Sequence, residues 1–154
     1  KGVILLSLVD IPLAIQVYLK DTFPAMVTYA KKLKKEGMEN ILMPEESFIH
    51  PMSVKTFLRY AVDNKDIDFA RFSDLNYNYE KLNNIKVPLF MRWGNDGELI
   101  IQKADELCEM LKEKIHNKNL NIGFIDGANH SYKGKEEELS KEIKEFIENV
   151  NIQR

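Results

Sequence analysis

Three short apolar segments without helical period limit this chain's fold more than any other feature: Val3 to Val9 (VILLSLV), Val87 to Trp93 (VPLFMRW) and Leu120 to Ile125 (LNIGFI). Each is too short and too continuously apolar for an amphipathic helix, and reads as a strand buried on both faces. Between the second and third, Ile100, Ala104, Leu107, Cys108, Leu111 and Ile115 fall on one helical stripe, with Lys103, Asp105, Glu106, Glu109 and Lys112 off it. A second such helix follows the third segment, with Leu139, Ile143, Phe146, Ile147 and Val150 on its apolar face and Glu136, Lys141, Lys144 and Glu145 on its wet one. Strand, helix, strand, helix predicts a right-handed crossover and a parallel sheet, so the fold class is α/β.

The first two segments are separated by about 75 residues, too many for an ordinary crossover, so that stretch must hold structure of its own. Phe23, Met26, Val27, Ala30 and Leu33 space a helix that starts near Asp21 to Pro24 and stops at Gly37. Ser53 caps another, with Val54, Phe57, Leu58 and Ala61 inward. Pro44, Pro51 and the Asn76 to Tyr79 run mark turns and loops. A helical insertion rich in Phe, Tyr and Met makes either a lid over a substrate pocket or a plain covering layer.

Charge and composition remove several function classes. Twenty-two Lys and Arg against 24 Asp and Glu leave a net charge of -2, with no basic excess for a nucleic-acid partner. The Lys31-Lys32-Leu33-Lys34-Lys35 run reads as the solvated face and last turn of its helix. A single cysteine excludes an internal disulfide and a Cys-based zinc cluster, and fits a reducing, cytoplasmic setting. The apolar runs fall far short of the roughly 18 to 20 residues of a membrane span. His50, His116 and His130 have no metal-ligand spacing, and the seven glycines form no phosphate loop, so neither metal nor cofactor is implied. The chain opens on Lys1-Gly2 without an initiator Met or a signal-peptide layout, and the expectation is that a further segment precedes it.

Two stretches carry the candidate chemistry. In IDGANHSYKG, His130 stands on a loop just past the third strand, where open α/β sheets place their sites, and Gly127, Asn129 and Gly134 allow the turn. In WGNDGELI, at the equivalent place after the second strand, Asp96 or Glu98 is a carboxylate within reach of a histidine from the neighbouring strand end. The alternative is that Asp96 forms a turn with Gly97 and Glu98 caps the next helix. Cys108 reads as a buried helix residue rather than a reactive thiol.

These strings together resemble the C-terminal half of an α/β-hydrolase. VILLSLVDIP is similar to the family's sixth strand, Ile11 to Lys86 to its lid insertion, VPLFMRW to the seventh strand and LNIGFIDGANHSY to the eighth. GANHSYKGKEEEL is similar to small carboxylesterases of the feruloyl or cinnamoyl esterase kind. The resemblance implies a partial α/β-hydrolase fold of about three parallel strands, with flanking helices and a helical lid. It implies His130 as the general base of a serine triad acting on an acyl ester.

Two departures qualify it. Three residues after Gly94, where the family places its acid, stands Gly97, with Asp96 one position early and Glu98 one late, so the acid is one of these two. The Gly-x-Ser-x-Gly elbow is missing. The six serines lie in LLSLV, EESFI, PMSVK, RFSDL, NHSYK and ELSKE, with Ser7 expected inside a buried strand. The expectation is therefore the base and acid of a serine hydrolase without its nucleophile, inactive alone. Self-association through the unpaired edge of Val3 to Val9 is also expected. The alternative is a non-catalytic remnant serving as a folding or protein-interaction module.

Overall fold

The computed structural model describes residues 1–62, 69–96 and 103–152. It divides into two compact units, one made of Lys1–Val9 and Leu75–Arg154, the other of Asp10–Asp74.

The first unit is built on a parallel sheet of three strands, β1 (Val3–Leu6), β2 (Leu89–Gly94) and β3 (Leu120–Ile125), in the order β1-β2-β3. The α/β class read from the apolar runs is the architecture found. Only β2 is buried along its whole length; β1 alternates between half-buried and exposed, and β3 is largely half-buried. Burial on both faces therefore holds for the central strand and fails for its two neighbours at the edges of the sheet. Helix α5 (Ala104–Lys114) packs on β3, with Ala104, Leu107, Cys108 and Leu111 buried as its stripe requires. Helix α6 (Glu136–Ile152) buries only Phe146 fully, its ring 5.2 Å from that of Phe90 on β2; Ile147, expected inward, is exposed. Arg92, next on the same face of β2, lies over the Phe90 ring and donates to Glu142 of α6 at 2.5 Å and to Asn121 Oδ1 of β3 at 2.8 Å. A cation is thus held inside the sheet unit by a carboxylate, an amide oxygen and two backbone carbonyls. A single helical turn, α4 (Glu80–Asn83), precedes β2.

The second unit is helical: α1 (Ile11–Leu19), α2 (Phe23–Lys35) and α3 (Val54–Ala61) enclose Ile15, Leu19, Ala30, Leu33, Val54 and Phe57. Gly37 ends α2 in the left-handed region at φ +77°, and Ser53 caps α3 by accepting from the Thr56 amide. Helix α1 has no counterpart in the sequence reading. Its signal is Asp10, whose carboxylate caps Leu13, followed by Pro12 in the first turn. The same buried carboxylate accepts from the amide and hydroxyl of Ser73, which ties the two ends of this unit together. No helix among the described residues is long and apolar enough to cross a membrane.

Candidate active site

All three strands deliver loops to the carboxyl edge of the sheet. β1 stops at Leu6 rather than continuing to Val9, because Ser7 turns into the left-handed region at φ +49° while its amide still donates to the Arg92 carbonyl at 2.8 Å. Ser7 is consequently half-buried outside the strand, not within it as the apolar run suggested. The chain beyond is secured by the Trp93 indole, which donates to the Leu8 carbonyl.

β2 ends on Gly94, where the approach of another backbone excludes every side chain. A Cβ there would stand 2.1 Å from the Ala128 carbonyl oxygen and 2.5 Å from that of Asn129. The next two residues consolidate the contact. Asn95 donates from its side-chain amide to Asp126 and accepts from the Gly127 amide at 2.7 Å, and the Asp96 amide donates to the Ala128 carbonyl at 2.9 Å. The end of β2 is therefore fastened to the turn that follows β3.

That turn carries the histidine. Gly127, at φ +65°, reverses the chain after Ile125, and Asn129 Oδ1 accepts from the amides of both Ser131 and Lys133. Tyr132 takes φ +58°, which sends its ring inward against Ile125, Ala128 and Leu139. Its hydroxyl donates to the Arg92 carbonyl at 2.7 Å, while Ser7 Oγ donates toward both Tyr132 Oη at 2.9 Å and the His130 carbonyl at 2.8 Å. Burial pushes the Tyr132 phenol up from its usual pKa, opposed by the hydrogen bond from Ser7.

His130, half-buried, and Asp96, exposed, thus sit on adjacent strand ends with their backbones joined through Ala128. Among the described residues, no hydrogen bond or ion pair links the Asp96 carboxylate to the imidazole. Glu98, the other candidate acid, lies outside the described residues. Ser131 is exposed and its amide is turned to Asn129, while His50 belongs to the helical unit and His116 precedes β3 at the opposite end of the sheet. Cys108 is buried in α5, and that burial pushes its thiol up, away from the reactive thiolate. No group of three or more potential metal ligands occurs among the described residues.

Sequence reasoning overlooked Asn95 and Tyr132 and placed Ser7 inside a buried strand. A signal existed only for Asn95, since an Asn just after a strand-ending Gly is a turn former. Ser7 was hidden inside an apolar string, and Tyr132 gave no sign of its left-handed backbone.

No family model, curated protein or solved structure matches the chain.

Proposed function

We propose that this chain supplies the base-bearing part of a serine hydrolase that cleaves an ester or similar acyl bond of a small molecule, in a cytoplasmic setting. In this reading His130 takes the proton of the attacking serine and returns it to the leaving group, while Asp96 or Glu98 orients the imidazole. The serine itself comes from outside these 154 residues, because none of the six serines has the small neighbours of a nucleophile elbow. The observation that carries the reading is the fastening of β2 to the histidine turn: Gly94 against the Ala128 and Asn129 carbonyls, and the Asp96 amide on Ala128. It supports a site in which an acid and a base from neighbouring strand ends serve one reaction.

The chain alone should show no ester turnover above a His130→Ala control and no labelling by a serine-directed fluorophosphonate. Stoichiometric labelling at any of its six serines would overturn the assignment of the nucleophile to another segment.

The second reading, a non-catalytic interaction module, is favoured by a separate observation on β1. With the amides of Val3 and Ser7 given to β2, the strand's alternation turns the N–H and C=O groups of Ile4 and Leu6 away from the sheet. Their side chains are 37% and 38% exposed, and no charge or proline interrupts the strand. This reading expects the chain to self-associate through β1. Sedimentation at micromolar concentration should find a dimer or larger species, and Leu6→Lys should weaken it. A stable monomer at high micromolar concentration would remove this reading.

A further inference from the structure

Of the four non-glycine residues in the left-handed region among the described residues, two are hydrogen-bonded to each other: Ser7, after β1, and Tyr132, after β3. L-residues adopt this backbone at a steric cost, and it persists only where surrounding contacts hold it. What these two hold is the peptide of His130. Ser7 Oγ donates to the His130 carbonyl, and Tyr132, two residues further on, bonds both Ser7 and the Arg92 carbonyl. The same Arg92 carbonyl receives the Ser7 amide, so Ser7, Tyr132 and the central strand close one ring of contacts around a single carbonyl.

The effect on His130 follows from what each contact fixes. The Asp96 amide fixes the Ala128 carbonyl; the Tyr132 amide donates to the Asn129 carbonyl and so fixes the peptide entering His130; Ser7 fixes the plane of the peptide leaving it. With the peptides on both sides immobilised, the Cα–Cβ direction of His130 is set, and only its side-chain torsions remain free. From this we infer that Ser7 and Tyr132 are positioning residues for His130, a strained pair of hydroxyls that aims the imidazole from its main chain rather than from its ring. The inference rests on the proposed hydrolase only for the purpose of the aiming. The aiming itself is a property of this chain.

The two hydroxyls rank differently. Ser7 touches the His130 carbonyl directly. Its one proton is shared between that carbonyl and Tyr132 Oη, so the Tyr132 contact competes with the His130 contact as well as locating Ser7. Loss of Ser7 should therefore release His130 outright, whereas loss of the Tyr132 hydroxyl removes only one of the contacts that locate Ser7 and should loosen His130 less.

The test uses the 154-residue chain and two variants. Ser7→Gly removes the hydroxyl while tolerating φ +49°, so that release of the histidine is separated from backbone strain. Tyr132→Phe keeps the ring and removes only its hydroxyl. Amide hydrogen exchange and the His130 ring resonances are recorded by NMR, with the exposed rings of His50 and His116 as internal references. In Ser7→Gly, exchange at Ser131 and Tyr132 should quicken by roughly two- to tenfold, the range for one lost hydrogen bond. The His130 ring signals should move toward rotamer-averaged positions while those of His50 and His116 stay in place. Tyr132→Phe should shift the His130 signals less than Ser7→Gly does. Unmoved His130 signals in a folded Ser7→Gly chain would overturn the inference, as would equal shifts at all three histidines. Failure of the hydrolase reading would appear elsewhere, in the labelling experiments, and would leave these NMR outcomes unchanged.

Discussion

The two ends of the sheet use the same device and reach different results. At the amino end, Asn83 donates to the carbonyls of Asn78 and Lys114 and accepts from the His116 amide, and Asn117 donates to the carbonyls of Ile85 and Val87. At the carboxyl end, Asn95 and Asn129 bind loop backbone in the same way. The amino end also holds one left-handed residue, Tyr79, before α4. The carboxyl end adds a glycine with no room for a methyl group and two left-handed residues joined through their hydroxyls. The strain is thus concentrated, and cross-linked, at the end that carries His130.

The most forceful way to break this contrast is Gly94→Ala. The added methyl meets backbone atoms that cannot step aside, at 2.1 to 2.6 Å, so the β2 end and the histidine turn must separate. We expect a loss of about 3 kcal/mol in denaturant unfolding, at the upper end for overpacking. Next in size is Glu142→Gln, which leaves the Arg92 guanidinium, only 10% exposed, with a weaker partner at Nε. Because the Glu142 side chain is 29% exposed, the cost is discounted to about 1 to 2 kcal/mol. The variant serves as a control that lowers stability without moving His130.

Asn117→Ala and Asn95→Ala each open one end of the sheet. Each deletes two or more side-chain contacts to neighbouring loops and should cost roughly 1 kcal/mol. Only Asn95→Ala should speed amide exchange at Gly127, whose donor it strands; equal effects of both variants there would show that the two ends are not separate.

The smallest effect is expected in alkali. Burial raises the Tyr132 phenol, so the folded chain keeps a proton that the unfolded chain has released. Its contribution is complete below the ordinary tyrosine pKa of about 10 and is lost as pH rises through the elevated folded value. The buried Cys108 thiol, also raised, acts in the same direction from a lower pH. Tyr132→Phe should therefore lose stability less steeply than the parent above about pH 10. An identical alkaline slope would mean that the phenol is not held as described.

The sheet was legible because β2 is buried throughout and β3 kept the bounds read from the sequence, and α2 and α3 because Gly37 and Ser53 punctuate them. The exposure of β1 and of Ile147 was not legible, since neither a run of aliphatic residues nor a helical stripe reveals how much of its face a neighbouring layer covers. In the candidate site, His130 and Asp96 stood out as residue types at strand ends. The contacts around them are long-range, 123 and 125 positions apart for Ser7 with His130 and Tyr132, and no local pattern encodes such a pairing.

If His130 serves a serine supplied from outside these residues, fluorophosphonate labelling of this chain joined to, or mixed with, a segment bearing a Gly-x-Ser-x-Gly elbow should mark one serine, in that segment, and His130→Ala should abolish the labelling. Labelling that persists at full rate in His130→Ala would contradict this role of His130.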